Sequence, residues 1–356
     1  MYGTIMGRSS TWTTQAIMTL LGALAASQST QALAEPAPPV TGQAGSASNT
    51  CSIQGTTAMP VDLAIYDQYV GGTAIAKFTG AKVSLTAQRF PPSPTQGRVA
   101  VQTGSGTSGF RLAGYVNASR LPLVTKDQLP VSAGHLWIGR AQQVQFTGAT
   151  ASGIAVTLTL RQPVAQTFKA QAPCSAFTLT QGVAPAWTVP GNARGYVVKL
   201  SLIELFSDWR SSRQPVGPLR GAKGLLTWST QRQGQWVNVQ YHGAVVFDAW
   251  AKLSDLHALP PGELSDRQAP PITQRSAPHL QLADSPREVT ASYTIPVHDA
   301  PRVGSKVIGA IGPGTKFFVL DTVLGWAKVL PGDLSLMPHG QGAFWVSAKL
   351  LKLARR

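Results

Sequence analysis

The chain has 356 residues, of which 43% are hydrophobic and 13% charged, and its formal net charge is +15. This length is too great for one small barrel and suits several modules. Lys and Arg are spread along the chain without a dense basic run, which gives a surface attractive to polyanions. The same charge also serves solubility, by repulsion between like-charged molecules.

The first residues have the pattern of an export signal. Arg8 precedes an apolar run at 16–26, and the small residues 32–34 form a cleavage site before Glu35. We therefore expect residues 1–34 to be a cleaved signal peptide and the mature protein to be periplasmic or secreted. An uncleaved amphipathic or transmembrane start is the alternative. No later stretch is apolar enough to cross a membrane.

Export restricts the partners that a positive surface can meet. The polyanions of the cell envelope are acidic lipid headgroups, lipopolysaccharide phosphates and peptidoglycan carboxylates. Nucleic acid is not expected as a partner, because the signal peptide directs the chain to another compartment.

The two cysteines are Cys51 and Cys174. An even number of cysteines in an exported chain predicts one disulfide, although a pair of buried thiols is the alternative. The disulfide would close a loop of roughly 120 residues, for which the chain-entropy model gives about 4–5 kcal/mol.

Changes in composition divide the chain into a tether, four β-rich units and a linker. Alternating apolar residues separated by Gly and Pro turns predict strands throughout, and hence an all-β fold. The expected boundaries are a Pro/Gly/Ser tether at 35–50, unit 1 at 52–123, unit 2 at 128–180, unit 3 at 196–259, a Pro-rich linker at 260–288 and unit 4 at 289–353.

A repeated pattern supports the division into units. Four octets end in Leu and carry small or apolar residues at the third and fifth places: Gly114–Leu121, Ala172–Leu179, Ala249–Leu256 and Phe344–Leu351. A glycine that opens a short β run lies 22 to 26 residues before each final Leu: Gly97, Gly153, Gly234 and Gly325. Near-constant spacing with drifting residues is typical of a repeated structural unit. A β-rich chain can also produce such pieces by chance.

Unit 4 carries the clearest motifs. They are Ile308-Gly309 followed by Gly314-Thr315-Lys316, then Gly325-Trp326-x-x-Val329, then Phe344-Trp345-Val346 with Leu351. Here the chain resembles the bacterial SH3 domain, a small five-stranded barrel. The resemblance implies tandem SH3-like barrels, most clearly at 289–353, that bind a peptide or a cell-wall ligand.

No residue pattern indicates catalysis, a metal site or a cofactor. None of the six histidines has the spacing of zinc ligands, and a Gly-x-Ser-x-Gly nucleophile motif is absent. Cys174 has no neighbouring His or helix N-terminus in the sequence that would lower its pKa. His298-Asp299 could form a dyad, but such a pair is more often a solvated loop.

Aromatic residues at strand ends are the better candidates for a site. Aromatic side chains between two loops of an SH3-type barrel form a shallow groove for extended peptides. The candidates for ligand contact are Tyr66, Tyr115, Trp209, Trp236, His298 and Trp326. Tyr66 and Trp209 are expected to be exposed, whereas Trp326 and Trp345 occupy positions that the family resemblance places in the core.

The sequence therefore predicts an exported, non-catalytic binding protein whose partner is peptidoglycan or an envelope protein. The alternatives are a structural or adaptor subunit of an envelope assembly and a regulator of a cell-wall hydrolase.

Overall fold

A computed structural model describes residues 51–104, 109–132, 134–162, 164–210, 213–260, 286–340 and 342–351. Over these ranges the chain is all-β, as the sequence predicts, and its strands form three antiparallel sheets, none of which closes on itself within the described residues. The predicted signal peptide, the 35–50 tether and most of the 260–288 linker lie outside the described residues.

The strands fall into four sets that share one order. Each set has a leading strand, a two-stranded hairpin, a three-stranded meander and a 3-10 helix. The first set contains β1 (Ser52–Ala58), β2 (Ala64–Tyr66), β3 (Ala74–Phe78), β4 (Lys82–Gln88), β5 (Val99–Thr103), β6 (Phe110–Val116) and the helix η1 (Ala118–Arg120).

The second and third sets each add a short closing strand after the helix. The second set contains β7 (Leu123–Thr125), β8 (Leu129–Ser132), β9 (Leu136–Ile138), β10 (Gln143–Thr150), β11 (Gly153–Leu160), β12 (Gln166–Ala172), η2 (Cys174–Ala176) and β13 (Phe177–Thr178). The third set contains β14 (Arg194–Val198), β15 (Leu202–Phe206), β16 (Pro215–Arg220), β17 (Leu226–Gln233), β18 (Trp236–His242), β19 (Val245–Lys252), η3 (Leu253–Asp255) and β20 (Leu256–Ala258).

The fourth set carries an additional strand, β26, between the second and third strands of its meander. It contains β21 (Arg287–Thr290), β22 (Ile295–His298), β23 (Val307–Ile311), β24 (Lys316–Val323), β25 (Trp326–Pro331), β26 (Leu336–Pro338), β27 (Phe344–Ser347) and η4 (Ala348–Leu351).

Pairing within the sets is also repeated. The leading strand pairs with the first meander strand in all four sets. The first hairpin strand pairs with the last meander strand in the first, third and fourth sets, and β8 lies against β12 in the second. The sets are therefore four versions of one arrangement of strands.

The repeated glycines lie in corresponding places, at the turn between the first two meander strands. Gly234 and Gly325 have φ angles of +57° and +83°, which L side chains rarely adopt. A side chain at Gly97 would overlap the ring of Tyr69. The glycine pattern thus marks a turn whose backbone or packing requires glycine.

The octets cover the end of the meander and the 3-10 helix. The helix begins at the fifth place of three octets, but in the second set it begins at Cys174, the third place. The matching octet there is 170–177, two residues earlier than the sequence suggests. A slip of two residues preserves the inward and outward alternation of a strand, so the pattern alone does not reveal it.

Strands also pair between sets. The second hairpin strand of the fourth set, β23, pairs with β6 of the first set, and β26 pairs with β3. Likewise β9 of the second set pairs with β19 of the third. Buried side chains from all four sets form one contiguous core cluster. The sets are thus packed together, as their small size predicts.

The first and second sets are joined by a disulfide and by hydrogen bonds to one backbone carbonyl group. Cys51 and Cys174 form the predicted disulfide. Beside it, the carbonyl oxygen of Gln54 accepts hydrogen bonds from Leu179 N at 3.3 Å and from Thr178 Oγ1 at 3.1 Å. The spatial order of the sets is therefore fourth, first, second, third.

The boundary between the first two sets follows from the pairing of β7. The sequence assigns Leu123 to unit 1 and begins unit 2 at residue 128. In the structure β7, which begins at Leu123, pairs with β10 and β13 of the second set. By pairing, the second set begins at residue 123.

Replacing both cysteines by alanine should lower the free energy of unfolding by about 4 kcal/mol, because the bond joins residues 123 apart in sequence. Urea denaturation of the oxidised protein, the reduced protein and the double variant measures this difference. Equal midpoints for all three would contradict a structural role for the bond.

Gly309→Ala should weaken the joint between the first and fourth sets. A methyl group at Gly309 would overlap the carbonyl oxygen of Arg111 on the paired strand, and such overpacking costs about 1–3 kcal/mol. Limited proteolysis and denaturant unfolding should show earlier release of the fourth set. Gly191→Ala is the control, because no atom lies within 4 Å of the Cβ position there. Equal stability of the two variants would contradict the close pairing of β23 with β6 at Gly309.

Candidate ligand-binding site

Three positions recur in the four strand sets. They are the last residue of the first hairpin strand, the residue at the start of the second meander strand (immediately before it in the first set), and the residue three places before the 3-10 helix. In the fourth set His298 lies opposite Trp345, and Trp345 lies opposite Lys328 on the strand that begins at Trp326. The pairing of three strands therefore brings separated residues into one cluster.

The cluster of the fourth set is formed by His298, Trp326 and Trp345. The rings of His298 and Trp326 meet edge to face, with centroids 5.0 Å apart and planes at 75°. His298 Nδ1 lies 3.1 Å from Ser305 Oγ, which fixes the imidazole against the hairpin turn. All three rings are half-buried, so part of each ring faces solvent.

Two aliphatic side chains on the turns beside this cluster are exposed to solvent. Val303, in the turn of the hairpin, is 96% exposed, and Leu324, in the turn before Trp326, is 93% exposed. Isolated exposed aliphatic residues are common on protein surfaces. Here the turn of Val303 follows the strand that ends at His298, and the turn of Leu324 precedes the strand that begins at Trp326. Both turns next to the half-buried rings thus carry an exposed aliphatic side chain, and we call this pair the aliphatic rim.

The cluster of the third set is covered by an arginine. Phe206 and Trp236 meet edge to face at 5.3 Å, and Phe206 lies opposite Trp250. The guanidinium carbon of Arg213 lies 4.5 Å from the centroid of Trp236 and 5.4 Å from that of Phe206. Arg213 Nη1 donates to the carbonyl oxygen of Arg210 at 3.0 Å, while its buried Nε has no hydrogen-bond partner among the described residues.

The first set has the same combination of ring and cation. The guanidinium carbon of Arg98 lies 3.5 Å from the centroid of Tyr66, and Tyr66 lies opposite Tyr115. Arg98 Nη1 donates to the carbonyl oxygens of Gln68, at 3.0 Å, and of Gly71. Tyr115 also meets the ring of Tyr69 edge to face at 6.1 Å. Burial raises the pKa of Tyr115, and the charge of Arg89 partly opposes this shift.

The second set has no ring at these positions. Ser132 ends β8, Gly153 begins β11 and Gln171 lies three places before η2. Gln171 Nε2 donates to Thr150 Oγ1 at 2.9 Å and to Ser152 Oγ at 3.0 Å. Gln171 thus stabilises the turn of the meander in place of a ring contact.

The six residues predicted from sequence fall into three clusters rather than one site. Tyr66 and Tyr115 lie together in the first set, and His298 and Trp326 in the fourth. Trp236 lies in the third cluster, with Trp209 in its hairpin turn at 38% exposure. Tyr66 was expected to be exposed but is half-buried under Arg98.

The expectation that Trp326 and Trp345 lie in the core is not met. Both are half-buried, while their strand neighbours Ala327 and Phe344 are fully buried. The alternation of the strands turns the smaller or less polar neighbour inward and the indole outward.

Five residues of the clusters are not among the candidates from sequence: Arg98, Phe206, Arg213, Trp250 and Trp345, the last of which was placed in the core. Arg98 could have been found, because it follows Gly97 as Trp326 follows Gly325. Phe206 could have been found by aligning the ends of the hairpin strands. Arg213 gives no sequence signal, since its contact depends on how the hairpin turn folds back.

His298 and Asp299 are engaged with different partners. His298 Nδ1 faces Ser305, whereas Asp299 Oδ1 accepts a hydrogen bond from Lys306 N at 3.0 Å. Over the part of the chain that the structure describes, no group of three or more His, Cys, Asp or Glu residues could hold a metal ion. The same residues include no helix long and apolar enough to cross a membrane.

A shallow depression of about 300 Å³ lies apart from the ring clusters, on β1 and β4. Gln54, Gly55, Thr56, Ser84, Leu85, Thr86 and Gly104 line it. Thr56 Oγ1 and Ser84 Oγ are hydrogen-bonded to each other at 2.9 Å. Because no lining residue titrates or carries a ring, the clusters remain the better candidates.

Comparison of the chain with protein-family models finds no match, and comparison with curated proteins finds no similar sequence. The geometry of the clusters is therefore the basis of the function proposed below.

Arg213→Ala should uncover the indole of Trp236. The loss of the guanidinium contact should lower the free energy of unfolding by about 0.5–1 kcal/mol and increase acrylamide quenching of tryptophan fluorescence. The increase in quenching should vanish when Trp236→Phe is added. Arg161→Ala, at an exposed position after β11, is the control. Unchanged quenching in Arg213→Ala would contradict the observed cover.

Proposed function

We propose that this chain is an exported, non-catalytic binding protein of the cell envelope that takes an extended peptide or a peptidoglycan strand. The open ring cluster of the fourth set carries this proposal. It combines a half-buried aromatic floor of His298, Trp326 and Trp345 with the exposed aliphatic side chains of Val303 and Leu324.

We further propose that each strand set is one SH3-like barrel. The repeated order of leading strand, hairpin, meander and 3-10 helix supports this proposal. The closing strands β13 and β20 pair with the leading strands β7 and β14 of their sets, which brings the two ends of each set together. In such barrels the groove between the hairpin turn and the meander turn takes extended peptides.

The fourth set is the preferred site because its rings carry no arginine cover within the described residues. In the first and third sets Arg98 and Arg213 already lie over the rings. A ligand there would first have to displace a guanidinium from an aromatic face, a contact worth about 0.5–2 kcal/mol. A ligand on Trp326 meets no such competition.

The compartment and the charge fit a wall ligand. A disulfide between Cys51 and Cys174 suits an oxidising compartment, as expected of an exported protein. A net charge of +15 favours the carboxylates of peptidoglycan stem peptides.

A structural or adaptor subunit of an envelope assembly is the second candidate. It is favoured by the arginine covers of the first and third clusters and by the polar residues of the second set. In three of the four sets, these features leave the residues at the cluster positions engaged in contacts within the protein. A protein that regulates a wall hydrolase would use the same surfaces on a protein partner.

Trp326→Ala should lower the affinity of the protein for purified peptidoglycan about thirtyfold, as expected when a central aromatic residue of an interface is lost. Co-sedimentation over a salt series measures this affinity, and retention should fall as salt rises.

Trp187→Ala is the matched control. Trp187 stacks on His242 at 4.2 Å between ring centroids and lies outside the clusters, so its loss should leave retention unchanged. If the unaltered protein is not retained at low salt, wall binding is excluded and the structural role becomes the better account.

A further inference from the structure

The ring clusters of the first and fourth sets lie at one joint. Strand β6 pairs with β23 along residues 110–112 and with β2 at Tyr115, which faces Tyr66. Because β5 occupies the other edge of β6, β23 and β2 lie end to end along the same edge. The hairpin of the fourth set therefore ends beside the first cluster.

The two hairpin turns touch each other at this joint. Lys306 Nζ lies 3.5 Å from Asp67 Oδ2, and Asp67 Oδ1 accepts a hydrogen bond from Thr73 N at 2.8 Å. The carboxylate of Asp67 thus holds its own turn and the turn of the fourth set together.

The joint is reciprocal. The hairpin strand β3 of the first set pairs with β26 of the fourth, and His339 N donates to the carbonyl oxygen of Ile75 at 3.4 Å. Each set thus pairs one of its hairpin strands with a strand of the other set. His298 and Tyr66 end the first hairpin strands of their sets, and the turns that follow them meet at the contact of Lys306 with Asp67.

We propose that these two clusters are subsites of one surface that binds a single extended peptide bearing carboxylates. This inference rests on the proposed binding function and adds that the ligand spans two strand sets. The peptide lies across the turns at 67–73 and 299–306, with its apolar end on the rings of His298 and Trp326 and a carboxylate on the guanidinium of Arg98, which remains over Tyr66.

The side chains at the joint favour a peptide over a glycan. Val70 and Val303, at the tips of the two turns, are 64% and 96% exposed. At the turns that separate the ring clusters the exposed side chains are aliphatic, and these pack against peptide side chains, whereas a sugar face would stack on a ring. Arg98 uses Nη1 for its two backbone acceptors, and a guanidinium has five N–H donors, so Arg98 can also bind a carboxylate.

Titration with soluble muropeptides from purified peptidoglycan, cross-linked and monomeric, tests the inference in the full-length protein. We expect one cross-linked muropeptide per chain. Val70→Ser and Val303→Ser should each weaken its binding about tenfold, and the double variant about a hundredfold. Val183→Ser, at a position 95% exposed outside the clusters, should have no effect. Thermal unfolding should be unchanged in all of these exposed-site variants.

Three results would overturn the shared surface while leaving wall binding in place. The first is binding of two ligands per chain, with each valine substitution weakening the binding of only one of them. The second is weaker binding in Val303→Ser without weaker binding in Val70→Ser. The third is competition by the disaccharide that lacks its peptide. No binding of either muropeptide by the unaltered protein would instead remove the proposed function, and the shared surface with it.

Discussion

The structure depends on strand pairing between sets that are each small enough to be only marginally stable alone. A set of this size buries little of its surface, and the outer strand of an open sheet leaves backbone N–H and C=O groups unpaired. Pairing of β23 with β6 and of β9 with β19 satisfies these groups and extends the core. The disulfide and the contacts of Gln54 then join the two pairs of sets.

The same pairing decides where the aromatic clusters can act. The second hairpin strand of one set pairs with the last meander strand of its neighbour. The far end of that meander strand carries a ring, which is Tyr115 on β6 and Trp250 on β19. In the third set His135 Nδ1, from the second set, lies 2.9 Å from the carbonyl oxygen of Asp248, two residues before Trp250. The arginine covers of Tyr66 and Trp236 close the ring faces of the first and third sets. Only the cluster of the fourth set combines uncovered rings with an exposed aliphatic rim within the described residues.

The sequence was sufficient for the local structure and insufficient for the long-range contacts. Turn glycines such as Gly325 and the alternation of Phe317 and Val319 predict strands correctly, and the two cysteines predict the disulfide. Pairing between sets could not be predicted, because an alternating strand offers the same pattern to any neighbour. The covers by Arg98 and Arg213 depend on how a turn folds back over a ring. The half-burial of Trp326 depends on which face its strand turns inward.

Native-state hydrogen exchange of the full-length protein tests most directly whether the first and fourth sets form one cooperative structure. Segments 110–112 and 309–311, which pair across the joint, should share one opening free energy, close to that of global unfolding. The account would be contradicted if residues 309–311 exchanged with the rest of the fourth set while residues 110–112 stayed protected.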